Sequence, residues 1–236
     1  MKHPRLLVVT AVAAERAAVQ RGLSGQDVGH ERILVVESGV GVANAAVATA
    51  EALHHHPEVR AVICAGIAGG FVSAGTTAPV PGVPVDVRGH TPAVAIGGLA
   101  VARSCVAADL GADSPEGFLS LDQLGFGSST VECDGRLVDT LLAALPDAAA
   151  GSVLTVATVT GTAARAAQLH ARHPDAVAEA MEGFGVATAA RRAGIPVAEV
   201  RSISNVVGPR DRSSWRIGDA LAALERLGPA LLDLAG

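Results

Sequence analysis

Short β-branched runs separated by alanine-rich stretches set the tightest limit on what this chain can fold into. RLLVVTA at Arg5–Ala11, ILVVES at Ile33–Ser38 and AVICA at Ala61–Ala65 are too short for ordinary helices and too apolar for exposed strands. Segments of helical length, rich in Ala, lie between them. Apolar strands alternating with helices are the units of a largely parallel sheet with helices on its faces. Half of the 236 residues are hydrophobic, yet only 2% are aromatic and Tyr is absent, so Ala, Val, Leu and Ile must fill the core. The expected fold class is α/β, three layers deep, with a central, mostly parallel, twisted mixed sheet flanked by helices. No linker, internal repeat or low-complexity segment interrupts the pattern. Residues 1–236 are therefore expected to form a single domain, long enough to bury a sizeable core.

Charge and cysteine usage narrow the function. Net charge is −5 and Lys2 is the single lysine, so there is no basic stripe and no nucleic-acid partner is expected. No apolar span or signal segment is evident, which points to the cytoplasm and away from a membrane. Cys64, Cys105 and Cys133 are odd in number and widely spaced, fitting neither a zinc site nor a disulfide framework. His54–His56 cannot all face one metal, and they read as a solvated helix end. His170 and His173 have helical spacing without a companion ligand and are expected at the surface. No metal and no cofactor are expected.

The polar residues that sit least comfortably in the pattern lie between Ala180 and Asp211. Gly183–Arg192 reads as a buried helix stopped by Gly194 and Pro196, and Val197–Ile203 as a strand. Glu182 stands at the helix start and Asn205 at the strand's C-terminal end, where open α/β sheets bind ligands. Taken singly each has an ordinary explanation: the helix dipole favours Glu182, and Asn is common at a strand end. Elsewhere, Glu15 sits in the first turn of a helix expected over Ala13–Arg21. The Gly39-Val40-Gly41 turn opens a helix running to Leu53. The run Gly66-Ile67-Ala68-Gly69-Gly70 follows a buried strand, where glycine density would bare backbone N–H groups to a ligand. Further strands are expected at Ala95–Ser104 and Ser152–Thr158, a helix at Arg136–Leu145, and a Thr158–Thr162 turn with Thr162 as N-cap. Asp109 is open between a site residue and a turn-former, and Asp211 has no assigned role. Thr76–Pro92 reads as a loop. One last helix, Ile217–Leu234, carries a core stripe of Leu221, Leu224, Leu227, Leu231 and Leu234.

Met181-Glu182-Gly183, followed after a helix by Arg201-Ser202-Ile203-Ser204-Asn205, resembles the purine nucleoside phosphorylase/nucleosidase superfamily, and most closely its methylthioadenosine/S-adenosylhomocysteine nucleosidase branch. The resemblance implies that Met181 and Glu182 meet the ribose, with Glu182 on its hydroxyls. It implies that Glu15, the one carboxylate kept of a Gly-Ala-Met-Glu-Glu-Glu-like run, activates the attacking water. Ile67, Ala68 and Gly69 would line the substrate and water site, and Thr160, Gly161 and Thr162 would sit beside the purine, without the family's usual aromatic stacker. The branch carries Asp where this chain has Asn205. The resemblance does not place Ser114–Val131.

Breaking an N-glycosidic bond builds positive charge on the ribose and negative charge on the purine. A catalyst needs a base for water, a group on the sugar hydroxyls and a donor to the purine. Glu15, Glu182 and Asn205 are the candidates in that order. Neither Gly-rich turn holds Arg or Lys for phosphate, so water is the expected nucleophile. A 6-oxopurine offers acceptors at O6 and N7, which an Asn amide can meet and a carboxylate cannot. Together with Asn205-Val206-Val207-Gly208-Pro209-Arg210-Asp211 and Ala108-Asp109-Leu110-Gly111-Ala112, this resembles the futalosine hydrolase family. The resemblance implies hydrolysis of a 6-oxopurine nucleoside, futalosine, to hypoxanthine in menaquinone biosynthesis, by a homo-oligomer. One of Arg165, Arg210 and Arg212 would face the substrate's tail carboxylate. The alternatives are an adenine nucleosidase, an inosine/guanosine phosphorylase and a nonenzymatic nucleoside-binding domain. A nucleotide-dependent oxidoreductase rests only on the Gly39-Val40-Gly41 turn.

Overall fold

A computed structural model describes residues 5–24, 32–71 and 94–236; the Thr76–Pro92 loop expectation lies outside the described residues. The chain order is β1 (Leu6–Thr10), α1 (Ala13–Leu23), β2 (Ile33–Glu37), α2 (Val42–His55), β3 (Ala61–Gly70), β4 (Leu99–Ala107), β5 (Gly111–Ser114), β6 (Gly117–Ser120), α3 (Leu121–Leu124), β7 (Thr130–Glu132), α4 (Gly135–Ala144), β8 (Ala149–Thr155), α5 (Ala163–Arg172), β9 (Ala176–Ala180), α6 (Gly183–Arg192), β10 (Val197–Val206), α7 (Ile217–Glu225) and α8 (Gly228–Ala235).

The main sheet runs β2-β1-β3-β9-β8-β4-β10, with β7 added to β4. β10 pairs with β3 as well as with β4, so β3, β9, β8, β4 and β10 close into a ring. β1, β3 and β10 are parallel neighbours, and the pairs β4–β8 and β8–β9 are parallel too. β3–β9, β4–β7 and β4–β10 are antiparallel, giving the expected mixed, mostly parallel sheet. β1 is buried along its whole length because it is central and covered on both faces. One core layer joins β1, β3 and β10 to α1, α4, α7 and α8; another lies against α2 and α6. Two glycines permit the helix packing: a Cβ at Gly185 would stand 2.2 Å from the Val42 carbonyl oxygen of α2, and one at Gly228 1.9 Å from that of Gly22 of α1.

Several boundaries differ from the sequence reading. β3 continues through Gly70, where a turn was expected after Ala65, because its glycines let neighbouring strands close in. A Cβ at Gly69 would meet Val207 at 2.9 Å, and one at Gly70 would meet Ile203 at 2.9 Å. β4 starts at Leu99, since Gly97 turns the chain at φ +76. β8 ends at Thr155, short of Thr158. The last helix is two, α7 and α8, broken where Pro229 cannot donate to a continuing ladder; Leu224, Leu227 and Leu231 are buried as expected. His170 and His173 are half-buried, His170 stacking on Phe71 with ring centroids 5.9 Å apart. Cys105 and Cys133, distant in sequence, bring their sulfurs to 3.8 Å as free thiols, because β4 and β7 pair there.

Candidate active site

The parallel register of β1, β3 and β10 gathers their C-terminal ends at one edge of the sheet. Glu15 projects from the first turn of α1 toward that edge and is 5% exposed. Its Oε2 accepts from the backbone N–H of Ala11 at 2.9 Å and of Val12 at 3.3 Å. Its Oε1 accepts from the N–H of Ile67 at 2.8 Å, so the carboxylate bridges from the end of β1 to β3. The approach is possible because residue 66 is glycine. A Cβ there would lie 2.8 Å from Glu15 Oε1 and 2.6 Å from Nη1 of Arg201.

Glu182 precedes α6 and is 6% exposed. It accepts from the N–H of Gly41 at 3.2 Å and of Met181 at 3.3 Å, and its Oε2 lies 3.2 Å from Nη2 of Arg201. The Gly39–Gly41 turn, with φ +82 at Gly39 and +99 at Gly41, thus closes on the Glu182 carboxylate. Met181 is half-buried beside it.

A register shift between Ile203 and Asn205 sets Asn205 opposite Gly69, and such a bulge re-aims the side chain that follows it. Asn205 is half-buried; its Oδ1 accepts from Ser204 Oγ at 2.7 Å and its Nδ2 donates to the Val206 carbonyl at 2.9 Å. An amide nitrogen carries two hydrogens, so one N–H remains for a ligand. Ala68 is buried and Ile67 and Gly69 are half-buried along the same stretch of β3. The Ile67 N–H is already taken by Glu15, so Glu15 rather than a ligand meets that backbone group.

The Thr158–Thr162 turn is held from three sides. Thr160 donates its N–H and hydroxyl to the buried Glu179 of β9, at 2.8 and 2.5 Å. Asp109 accepts from the Ala157 N–H at 2.7 Å, which gives it the turn-organising role, and the Gly161 carbonyl accepts from the Arg210 N–H at 3.3 Å. Thr162 caps α5 through the Arg165 N–H, and Gly161 and Thr162 are exposed. Glu179 pairs in register with Gly69, which brings the turn to the same region as Asn205. Burial raises the Glu179 pKa above the ordinary carboxylate value, against the Thr160 hydrogen bonds that pull it down. Arg210 and Arg212 each lie 5.9 Å from the Trp215 ring, just beyond β10. Asp211 caps the short 3-10 turn Arg212–Ser214 through the Ser213 N–H.

The residue the sequence reading missed is Arg201, which is 1% exposed. Its Nε donates to Glu199 at 2.7 Å and its Nη2 lies 3.3 Å from Cys64 Sγ. Burial works against its charge, but Cys64, Glu199, Glu182 and Glu15 outweigh that and raise its pKa above the ordinary arginine value. Cys64 is held as a thiol chiefly by burial, in spite of Arg201. The signal lay in the alternation: Glu199 and Arg201, two apart and flanking Val200, share one face of β10. Among the described residues no group of three or more His, Cys, Asp or Glu side chains could hold a metal ion, and no helix is long and apolar enough to cross a membrane.

Residues 88–234 match the family model of the phosphorylase superfamily. The chain is 46% identical over 235 residues to a futalosine hydrolase of Streptomyces coelicolor, covering 93% of this chain and 91% of that one. It is 43% identical over 238 residues to a futalosine hydrolase of Acidothermus cellulolyticus, covering 95% and 89%. Among solved structures, the futalosine hydrolase of Helicobacter pylori superposes with a TM-score of 0.75 at 18% identity, over 98% of both chains. The methylthioadenosine/S-adenosylhomocysteine nucleosidase of Neisseria meningitidis does so with 0.73 at 17%, over 97% of both. At those identities the structural likeness speaks for the fold, and the curated relatives carry the assignment further. The chain belongs to the phosphorylase superfamily and, within it, to the futalosine hydrolase family.

Proposed function

We propose that this protein hydrolyses the N-glycosidic bond of futalosine, releasing hypoxanthine and leaving dehypoxanthine futalosine. The observation that carries the reading is the 46% identity, along nearly the whole chain, to the Streptomyces coelicolor enzyme. The geometry supports it, since a buried carboxylate, a second carboxylate on a glycine turn and an amide donor converge on one sheet edge.

Glu15 takes a proton from water as the water oxygen bonds to the anomeric carbon. Glu182 accepts from the ribose hydroxyls, with Met181 packed against the sugar, as charge builds on the ring. The bond from that carbon to the purine nitrogen breaks, its electron pair leaves with the base, and Asn205 stabilises the departing anion by hydrogen bonding. The proton taken by Glu15 passes through solvent to that anion, giving hypoxanthine and restoring the carboxylate. Ile67, Ala68 and Gly69 form the wall behind the water, and Thr160, Gly161 and Thr162 lie beside the purine. The tail carboxylate falls to one of Arg165, Arg210 and Arg212.

The same reading places the reaction in menaquinone biosynthesis in the cytoplasm, performed by single-domain subunits of a homo-oligomer. Val40, Val42 and Val47, 49%, 38% and 57% exposed around the start of α2, give such an assembly an apolar surface to cover. The test is incubation with futalosine, inosine and methylthioadenosine, with and without phosphate, and identification of the released base. Hypoxanthine from futalosine without phosphate is expected. Adenine from methylthioadenosine as the dominant product would overturn the reading.

A further inference from the structure

Glu199 is fully buried on β10, two residues before Arg201 on the same strand face. It is set back from the sheet edge where Glu15, Glu182 and Asn205 converge. Its Oε1 accepts from Arg201 Nε at 2.7 Å, while its Oε2 has no hydrogen-bond partner among the described residues. The fit around it is tight, since a Cβ at Gly183 would lie 2.1 Å from the carboxylate. A buried ion pair is weak evidence of stabilisation, because removing two charges from water is expensive. Its place here is better explained by what it does to Arg201.

A guanidinium is a rigid fork, so fixing Nε fixes the directions of the two terminal nitrogens. With Nε on Glu199, Nη2 reaches Glu182 Oε2 at 3.2 Å, and Nη1 lies 2.6 Å from the point beside Gly66 that is 2.8 Å from Glu15 Oε1. Two carboxylates pair with this one guanidinium, and Glu15 acts on it electrostatically from across Gly66. Charged and titratable groups face it from each element packed there: Glu15 of α1, Cys64 of β3, Glu182 ahead of α6, and Cys105 of β4 through Glu199.

We propose that Glu199 is a positioning residue, which aims Arg201 at Glu182 and offsets its charge so that Glu15 can act as the base. The proposal rests on the hydrolytic reading above for its kinetic part and on geometry alone for the orientation of Arg201. Glu199→Gln keeps an acceptor for Nε and the side-chain size but removes one negative charge. The positive charge of Arg201 is then less fully offset at the site. The acidic limb of the kcat–pH profile should move down by about half a unit or more, and kcat should fall about tenfold with KM little changed. Glu199→Leu removes the acceptor as well, and should displace the Arg201 Nε–H resonance in a 15N spectrum of the ligand-free protein. A Glu199→Gln profile superposing on wild type would overturn the proposal, whether or not the Leu variant folds. So would an unmoved Nε–H resonance in a folded Leu variant. Wild type that releases no hypoxanthine, with the resonance displaced in the Leu variant, would sink the hydrolytic reading while supporting the aiming of Arg201.

Discussion

Replacing Glu15 with Gln separates catalysis from folding more sharply than any other single change. The carboxylate accepts three backbone N–H groups through two oxygens, at 2.8, 2.9 and 3.3 Å, and is 5% exposed. Gln keeps the shape but turns one oxygen into a donor. Whichever way the amide lies, its NH₂ then faces a backbone N–H and at least one buried donor loses its acceptor. That costs about 1–3 kcal/mol of stability, which lowers Tm by roughly 2–12 °C in a chain of this size. The catalytic loss is larger. Without a base for the attacking water, kcat should fall ~10²- to 10⁴-fold, equivalent to about 3–5 kcal/mol in the barrier. The assay follows hypoxanthine release from futalosine, with Tm by calorimetry and substrate affinity by titration calorimetry on the same preparation. A folded variant that binds substrate and turns over within about threefold of wild type would refute the role of Glu15.

Other outcomes rest on the same geometry. Asn205→Asp replaces the remaining N–H donor with an acceptor opposite two purine acceptors, so the preference for 6-oxo over 6-amino nucleosides in kcat/KM should fall ~10- to 100-fold; an unchanged ratio would leave Asn205 as a strand-end residue bonded to Ser204 and Val206. Gly183→Ala drives a Cβ to within 2.1–2.4 Å of the Glu199 carboxylate, and should cost about 1–3 kcal/mol in denaturant titration along with activity. Asp122, whose pKa the Ser129 hydroxyl and N–H lower to about 2, holds the segment after α3. A depressed carboxylate stabilises above its unfolded pKa and loses that contribution as pH falls through the folded one, so Ser129 amide exchange should accelerate between about pH 4 and pH 2; constant protection there would count against it.

The legible part of the fold came from β1, β2 and the start of β3, whose β-branched runs match their burial. α6 was equally readable, because Gly194 and Pro196 punctuate its end, with Gly194 at φ +70. β9 was not, because Ala176–Ala180 is short and alanine-rich, and pairing with β3 and β8 rather than local preference makes it a strand. The glycines of β3 misled in the same way. They serve close strand approach and leave room beside Gly66 for Glu15 and Arg201, properties that depend on partners distant in sequence. Glu15, Glu182 and Asn205 could be nominated from the sequence because each sits close to an element boundary. Glu179, Glu199 and Arg201 lie inside strands; the spacing of Glu199 and Arg201 puts them on one face, but nothing local says whether that face is buried or exposed. Pairing of β10 with β3 and β4, and the packing of Gly183 on Glu199, bury Glu199 and Arg201.

The most direct measurement is a reaction with futalosine in ¹⁸O-labelled water containing phosphate, with products analysed by mass spectrometry. The account predicts unlabelled hypoxanthine and a sugar product carrying one ¹⁸O at the anomeric position, at a rate that does not depend on phosphate and is lost in Glu15→Gln. An unlabelled sugar phosphate, or label entering at the wild-type rate in Glu15→Gln, would contradict it.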